Sequence, residues 1–397
     1  MTVEVLHLSD THLGYRQYRS DLRRQDFTDA FEEAVEVAVE RDVDAVVHTG
    51  DLFDSRDPSL TDLTDCIDVL RTLRHEGIPF YGIVGNHERK IDRQWLDLLE
   101  RTGVAERLGK EPIVIGDEVA VYGIDSVSRV SWDSADLEIQ ETDDDLYRLV
   151  CMHQLLHPPV PEKLSDHDTD EVIERLGIEI DALALGDYHE AVNATVEGVE
   201  VWYAGSTERV SAGETQPRRV HLLSFDDGGM TRKRIEIDAR DLVELPVEVG
   251  ADTTVSDVRD EFERRDVEDK TVVPVLRGRR GNITANDVHK VAVEEGAAVC
   301  NVRDERESRN FDVESGEEFE DVRDIDEMIS RRVSESDLSE IAVEIDDEIR
   351  NGDLPKSRTD DVVEERVRQR RDEVFSEDDD DTDDLEKEDR DGTEVET

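Results

Sequence analysis

The chain has 397 residues, and its 48 Lys and Arg against 105 Asp and Glu give a formal net charge of −57. This length suffices for two or three domains with hydrophobic cores. The sequence contains no run of about 18 apolar residues, so we expect no membrane span. Three widely spaced cysteines exclude a disulfide-stabilised scaffold and favour a reducing, cytoplasmic location. Because the N-terminus opens directly on a strand pattern, we expect no secretory signal.

The excess of acids extends over the whole chain. Residues 376–397 carry 13 acids and 2 bases, so 46 of the 57 net negative charges lie on the first 375 residues, and only 8 of the 48 basic residues are Lys. We interpret this composition as adaptation to molar salt, where a Debye length of about 3 Å screens self-repulsion. A solvating acidic surface at ordinary salt is the alternative. Because counterion release is weak in molar salt, the lack of a basic surface does not exclude a nucleic-acid partner.

Residues 1–240 alternate strand and helix patterns. Apolar runs predict strands at 3–8, 45–48, 80–84, 119–124, 149–153, 183–185, 201–204, 220–225 and 232–237. Apolar residues at helical spacing predict amphipathic helices at 27–41 and 60–75. Strands that first alternate with helices and then follow one another predict a layered α/β sandwich.

Residues 241–307 are predicted to form a second, small α+β domain that packs on the first. Thr254 is a plausible N-cap for a helix that turns Val255, Val258 and Phe262 inward. A strand at 271–276 and a helix near 286–295 follow. The hydrophobic content of this segment is sufficient only for a small core.

Residues 308–375 are polar, with two short amphipathic stripes that predict a helix pair. One stripe, from Leu338 to Ile349, is ended by Asn351-Gly352, and a weaker one runs from Val362 to Phe375. Such a pair cannot bury its own apolar face, so it either packs on the main body or docks onto a partner chain. We favour a partner. Residues 376–397 are predicted to be a disordered acidic tail.

Five short motifs made of Asp, Asn and His follow predicted strands. They are Asp10-Thr11-His12, Gly50-Asp51, Gly85-Asn86-His87-Glu88, His153 and Gly186-Asp187-Tyr188-His189. Ligands of α/β sheets collect beyond the carboxyl ends of the strands, so these side chains are expected on one rim. Three His, one Asn and three Asp can give two metal ions three or four protein ligands each, with Asp51 as the bridge. Two metals about 3.5–4 Å apart suit in-line displacement at phosphorus.

The remaining histidines lack such companions. His7 and His48 lie inside predicted strands, and we interpret them as core residues or as supports of the rim. We interpret the others as surface or structural residues: His75, His157, His167, His221 and His289.

The order of the five motifs resembles that of the calcineurin-like metallophosphoesterase superfamily. The flanks Ser9-Asp10-Thr11-His12-Leu13-Gly14-Tyr15, Gly50-Asp51-Leu52-Phe53-Asp54 and Gly205-Ser206 with Glu208-Arg209 are similar to one branch, the double-strand-break repair nucleases of the meiotic recombination eleven family, with the bacterial relative SbcD. The resemblance covers the first 240 residues well. It implies a sandwich of two mixed sheets, a cap domain that binds DNA at 241–307, and a helix pair at 308–375 that docks an ATPase.

The resemblance also implies a role for each motif residue. Asp10, His12 and His189 would hold the first metal, and Asp51 would bridge. Asn86 and His153 would hold the second metal. His87 would face the scissile phosphate and assist the leaving oxygen.

One position departs from the family pattern. The last motif of the family is usually Gly-His-x-His, whereas Asp187 stands here at the place of the first histidine. A carboxylate is a hard oxygen donor that manganese accepts, so we expect Asp187 to remain a ligand of the second metal. The opposite outcome, a weakened second site and a crippled nuclease, stays open.

The family's activity and partners complete the expectation. Its members use two Mn²⁺ per subunit, degrade DNA ends as 3′ exonucleases and cut single strands internally. They form homodimers and act with an ABC-type ATPase of the Rad-fifty kind in double-strand-break repair. Two other readings remain: a DNA-end-binding scaffold with an attenuated nuclease, and a metallophosphatase with another phosphoester substrate.

Overall fold

The structure is a computed structural model that describes residues 2–90, 93–142, 146–226, 229–250, 252–279 and 281–306. The helix pair predicted within 308–375 and the tail predicted at 376–397 lie outside the described residues. The chain divides into two units, residues 1–127 with 134–309 and residues 128–133 with 310–397. The first unit carries all five motifs and is the one described below.

The ten predicted strands are present to within a few residues, and eight further strands among the described residues, including Leu242–Val249, were not predicted. In chain order they are β1 Val3–Leu8, β2 Ala45–His48, β3 Phe80–Gly82, β4 Glu106–Arg107, β5 Ile113–Ile115, β6 Val119–Ile124, β7 Tyr147–His153, β8 Leu156–His157, β9 His167–Asp168, β10 Ala182–Gly186, β11 Asn193–Val196, β12 Val199–Tyr203, β13 Arg219–Asp226, β14 Gly229–Glu236, β15 Leu242–Val249, β16 Thr271–Gly278, β17 Val299–Cys300 and β18 Arg303–Asp304.

The described residues form seven α-helices, one of which belongs to the second unit. They are α1 Asp21–Arg41, α2 Leu60–Glu76, α3 Trp95–Thr102, α4 Arg129–Trp132 in the second unit, α5 Thr169–Arg175, α6 Val255–Glu263 and α7 Ala285–Glu294, with a 3₁₀ turn at Gln17–Arg19. Among the described residues, no helix has the length and apolar character needed to cross a membrane.

Two six-stranded mixed sheets confirm the predicted α/β sandwich. The first has the order β14-β13-β1-β2-β3-β4 and the second the order β11-β12-β10-β7-β6-β5. Neighbours β1, β2 and β3 run parallel in the first sheet, as do β6, β7, β10 and β12 in the second. Parallel strands end on the same side of a sheet, so the segments that follow them meet at one rim.

The core of the sandwich explains why β1 is apolar on both faces. Leu6 and Leu8 pack against α1 and α2, where Phe31 and Leu70 are also fully buried. Val5 points the other way, into the layer between the two sheets. A strand buried on both faces is rich in apolar residues, so β1 is visible in the sequence although Glu4 and His7 interrupt its apolar run.

Residues 241–306 form a separate sheet with its own core. Strand β16 pairs with β15, β17 and β18, and α6 and α7 cover one face through Phe262 and Val288. Thr254 caps α6 as predicted, in a reciprocal capping box with Asp257. Val255 is a wrong prediction, because 44% of it is exposed. Val255 is the first residue of α6, and the buried face of the helix begins one turn later, at Val258.

Arg240 connects this small domain to the sandwich. Its guanidinium donates two hydrogen bonds to Asp26 of α1, at 2.8 and 2.9 Å, and two to Asp269 of the small domain, at 2.6 Å to the carbonyl oxygen and 2.7 Å to the carboxylate. A bidentate guanidinium–carboxylate pair fixes orientation as well as distance.

Candidate metal centre

The five motifs meet at the carboxyl ends of parallel strands. Asp10 and His12 follow β1, Asp51 follows β2, and Asn86 and His87 follow β3. From the second sheet, His153 ends β7 and Asp187 and His189 follow β10. The rim predicted from the sequence therefore exists.

One cluster at this rim contains Asp10, His12 and His189, whose ligand atoms lie within 4.8 Å of one another. The two imidazole Nε2 atoms face each other at 3.2 Å. Asp10 Oδ1 lies 3.9 Å from His189 Nε2. These are the three side chains that the resemblance assigned to the first metal.

A second cluster is built around His153. Its Nε2 lies 3.0 Å from Asn86 Oδ1, 3.4 Å from Asp51 Oδ2 and 4.0 Å from Asp187 Oδ1. Asp51 Oδ2 is also 3.9 Å from His12 Nε2. Asp51 therefore reaches both clusters, which is the position a bridging carboxylate requires.

The outer nitrogen of each of two imidazoles donates to a carbonyl oxygen. His153 Nδ1 lies 2.7 Å from the carbonyl oxygen of Thr49, and His87 Nδ1 lies 2.9 Å from that of Asp54. A carbonyl can only accept, so the proton sits on Nδ1. Nε2 is then the nitrogen left for the chemistry of each ring: that of His153 can bind a metal once it is deprotonated, and that of His87 can carry a second proton.

The electrostatics of the rim also favour a cation. Burial alone would raise the pKa of Asp51, but His153 and His87 hold it well below its usual range. Burial raises the pKa of Asp187 to about 6, with Asp51 and Asp10 acting in the same direction. Burial opposes the charged form of His189, but Glu214 and Asp10 raise its pKa to about 9. Burial thus disfavours the charged forms of Asp51, Asp187 and His189, and only oppositely charged neighbours favour those forms.

The donor set fits divalent metals. Asp10 and Asp51 are at most 1% exposed, and a buried carboxylate without a cation is costly. The facing lone pairs of His12 and His189 repel unless a cation or a proton lies between them. Carboxylate oxygens and imidazole nitrogens together suit manganese, iron or zinc rather than calcium.

The backbone at the rim is strained in a way that selects Asp and His. Asp10, His12, Asp51 and Asp187 have φ values of 52°, 45°, 55° and 88°. This left-handed region is costly for most side chains, and it is where functional residues are often held. A Cβ at Gly85 would lie 2.0 Å from Asp51 Oδ1, so only glycine lets these two loops approach.

Several supporting residues were missed or only partly anticipated from the sequence. Glu88 is 4% exposed and accepts the N–H groups of Phe53 at 2.9 Å and Gly85 at 3.2 Å, so it ties the Asp51 loop to the Asn86 loop. His48 accepts the Gly50 N–H at 3.2 Å and faces Thr11 Oγ1 at 3.2 Å, which makes it a support of the rim. Glu88 could have been found from its place in the Gly-Asn-His-Glu motif.

Asp54 lies at the outer side of two of the imidazoles. Its Oδ1 is 3.5 Å from His12 Nδ1 and 3.7 Å from His87 Nδ1, and these three residues form a further group with metal-ligand spacing. His12 and His87 thus share one carboxylate neighbour.

The chain is similar to known proteins over most of its length. A family model described as calcineurin-like phosphoesterase matches residues 3–191. The "DNA double-strand break repair protein Mre11" of Haloferax volcanii is 41% identical over 365 residues, covering 91% of this chain and 81% of the relative. The protein of the same name from Halobacterium salinarum is 37% identical over 387 residues, 96% of each chain. That of Methanosarcina mazei is 39% identical over 380 residues, which span 92% of this chain and 60% of the relative.

Proposed function

Because the chain belongs to the Mre11 family of DNA double-strand break repair proteins, we propose that it is a two-metal nuclease that hydrolyses phosphodiester bonds at DNA ends and within single strands. The observation that carries the proposal is the convergence of the five motifs on one buried rim, with Asp51 between two ligand clusters. In this reading the protein acts as a 3′ exonuclease and a single-strand endonuclease.

We assign the ligands as follows. Asp10, His12 and His189 would hold the first metal, and Asp51 would be shared between the two. Asn86, His153 and Asp187 would hold the second metal. Two bound divalent ions, in our proposal Mn²⁺, would acidify a water molecule and offset the charge of the phosphate.

His87 is the proposed catalytic residue. Its Nδ1–H is held by the carbonyl oxygen of Asp54, so its Nε2 is free to carry a second proton to the leaving oxygen. Burial opposes the imidazolium form, but Asp51 and Asp54 raise the pKa of His87. The side chain is 37% exposed, unlike the buried His12 and His153, so a phosphate can approach it.

DNA contacts are proposed to come from cations beside the rim and in the small domain. The candidates are Arg16, Arg19, Arg56, Arg89 and Lys90, with Arg277 and Arg279 in the small domain and Arg280, which lies outside the described residues. Several already have acidic neighbours: Lys90 Nζ lies 2.8 Å from Asp57, and Arg277 Nε lies 3.3 Å from Glu305. In molar salt such exposed pairs are weak, so the cations can exchange them for phosphates.

Further parts of the proposal concern partners and location. Leu60 of α2 is 79% exposed and Leu98 of α3 is 40% exposed, which supports a homodimer formed through these helices.

An ABC-type ATPase of the Rad-fifty kind is proposed to dock on residues 308–375. We also propose a cytoplasmic location, since the three cysteines are unpaired.

The test is DNA degradation by the full chain in molar KCl with Mn²⁺. End-labelled single- and double-stranded DNA and a chromogenic phosphomonoester serve as substrates. The nuclease proposal predicts shortening of the labelled DNA and little ester cleavage. Rapid ester cleavage without DNA degradation would instead identify a phosphatase.

A second candidate is a DNA-end-binding scaffold with an attenuated nuclease. The carboxylate of Asp187, at the place where the family usually has an imidazole, is the observation that favours it. In that case the chain binds DNA ends, but the labelled DNA stays intact at every Mn²⁺ concentration.

A further inference from the structure

We propose that Glu214 is a positioning residue, which fixes the tautomer and orientation of His189 and thereby sets the affinity of the first metal site. The inference rests on the proposed function, in which His189 is a ligand of that metal. Glu214 lies 25 residues beyond His189, in none of the five motifs.

The contact between the two side chains determines where the proton of His189 lies. Glu214 Oε1 is 3.3 Å from His189 Nδ1. An ionised carboxylate can only accept, so Nδ1 carries a proton and Nε2 is the nitrogen left for a metal, which would displace any proton there. Nε2 faces Asp10 and His12. A carboxylate behind a ligating histidine is a recurrent way to orient the ring and raise its basicity.

Glu214 is itself held rigidly. Its Oε2 accepts the Val210 N–H at 2.9 Å and a guanidinium N–H of Arg218 at 3.2 Å. The same Arg218 nitrogen donates to the carbonyl oxygen of His189 at 2.9 Å. Glu214 and Arg218 are 9% and 1% exposed. The backbone and the ring of His189 are therefore both fixed by one buried pair.

At the second metal site, the orientation of the ligand His153 does not depend on a carboxylate side chain. His153 Nδ1 donates to the backbone carbonyl of Thr49, which no side-chain substitution removes. Loss of the Glu214 carboxylate should therefore weaken one of the two sites and spare the other.

The alternative is that Glu214 only anchors its loop through Arg218. Replacement by Gln separates the two roles, because an amide has one accepting oxygen and one donating nitrogen. The Val210 N–H and the Arg218 guanidinium both need an acceptor, so the amide oxygen of the introduced Gln stays with them. The amide N–H groups then point toward His189 Nδ1. That nitrogen must then accept, which moves the proton to Nε2 and blocks the metal. Replacement by Ala removes the side chain that binds Val210 and Arg218. Water can enter the space and accept the hydrogen bond from His189 Nδ1, so the proton can stay on that nitrogen.

The experiment is calorimetric titration of the metal-free full chain with Mn²⁺ in molar KCl, for wild type, Glu214→Gln and Glu214→Ala. A second readout is the denaturant midpoint of each variant. Glu208→Gln is the matched control, since Glu208 is a 1% exposed carboxylate of the same segment that binds Arg23 at 3.2 Å and backbone N–H groups.

The proposal predicts that Glu214→Gln weakens one of two Mn²⁺ sites by about 10–100-fold, at least as much as Ala does. For stability the order is reversed, with Ala the more destabilised variant. Glu208→Gln should lower stability and leave both affinities unchanged.

Three results would overturn the proposal: wild-type affinities in Glu214→Gln, an effect in Ala but not in Gln, or equal weakening of both sites. If wild type binds no Mn²⁺, the proposed nuclease function itself is wrong. If wild type binds two ions and degrades DNA while Glu214→Gln does so equally well, only the inference about Glu214 fails.

Discussion

The two sheets position their parts of the metal centre by different means. After β1 and β2 of the first sheet, the two loops are joined by backbone hydrogen bonds, from Asp10 N–H to Gly50 at 3.1 Å and from His12 N–H to Asp51 at 3.0 Å. After β10 of the second sheet, Asp187 N–H bonds the Asp10 carboxylate at 3.1 Å. In the first half the loops after β1 and β2 are joined through the backbone, whereas in the second half Asp187 and His189 are oriented by the carboxylates of Asp10 and Glu214. The positions of Asp187 and His189 should therefore be more sensitive to side-chain substitution.

The strongest disruption should come from the residue shared by both halves. We expect Asp51→Asn to reduce DNA degradation to background and to weaken Mn²⁺ binding at both sites, because the bridging charge is lost. Nuclease assays and calorimetry check this. The exposed Asp68→Asn, on α2, is the control, and retained activity in Asp51→Asn would contradict the bridging role.

The backbone scaffold can be tested by adding a single methyl group. Gly85→Ala would place a Cβ 2.0 Å from Asp51 Oδ1 and 2.2 Å from Asp51 N, so the loop must shift. A displacement of the Asp51 carboxylate by about 1 Å can lower the rate of DNA hydrolysis by about 10²-fold. Gly109→Ala, where nothing lies within 4 Å, should behave as wild type. Equal rates for both variants would show that the close approach is unimportant.

The second half offers a milder test at Asp187. Asn tolerates the left-handed backbone at this position, where φ is 88°, but it lacks the charge. We expect Asp187→Asn to weaken the second Mn²⁺ site more than the first, with an unchanged denaturant midpoint. An unchanged titration curve would remove Asp187 from the ligand set.

The smallest effect concerns stability in the layer between the sheets. Burial, with Arg232, lowers the pKa of His221 to about 3, from 6.5 in an exposed peptide. The unfolded chain therefore takes up a proton below pH 6.5 that the folded chain refuses, and stability falls as the pH drops toward 3. The loss amounts to about 1.4 kcal/mol per pH unit for one such group.

Replacement of His221 should flatten this dependence. In His221→Leu, the difference between urea midpoints at pH 7.5 and pH 5.5 should be smaller than in wild type. The exposed His75→Gln serves as the control. An unchanged difference in His221→Leu would mean that other groups account for the acid sensitivity.

The sequence predicted what local patterns can encode. Strands such as β1 and β2 had the predicted bounds, because apolar runs buried on both faces are visible in the chain. The rim followed from strand ends, since every motif stood directly after a strand. The family assignment drawn from those motifs is confirmed by relatives that cover most of the chain.

What the sequence did not predict depends on contacts between distant segments. Glu214 supports His189 only because the chain turns back after β12, and no spacing rule connects the two. Trp202 donates to His7 at 3.0 Å across 195 residues, which likewise has no local signal. Val255 was assigned inward because its spacing from Val258 is helical, but periodicity does not tell where the covered face begins.

In the proposed mechanism, His87 performs chemistry at a centre whose metals are held by other residues. The most direct test compares wild type with His87→Ser for Mn²⁺-dependent degradation of end-labelled DNA and, in parallel, for Mn²⁺ binding by calorimetry. We predict that the variant binds two ions as wild type does, while its rate falls by about 10²–10⁴-fold. Loss of metal binding in His87→Ser, or equal degradation by both proteins, would contradict the account.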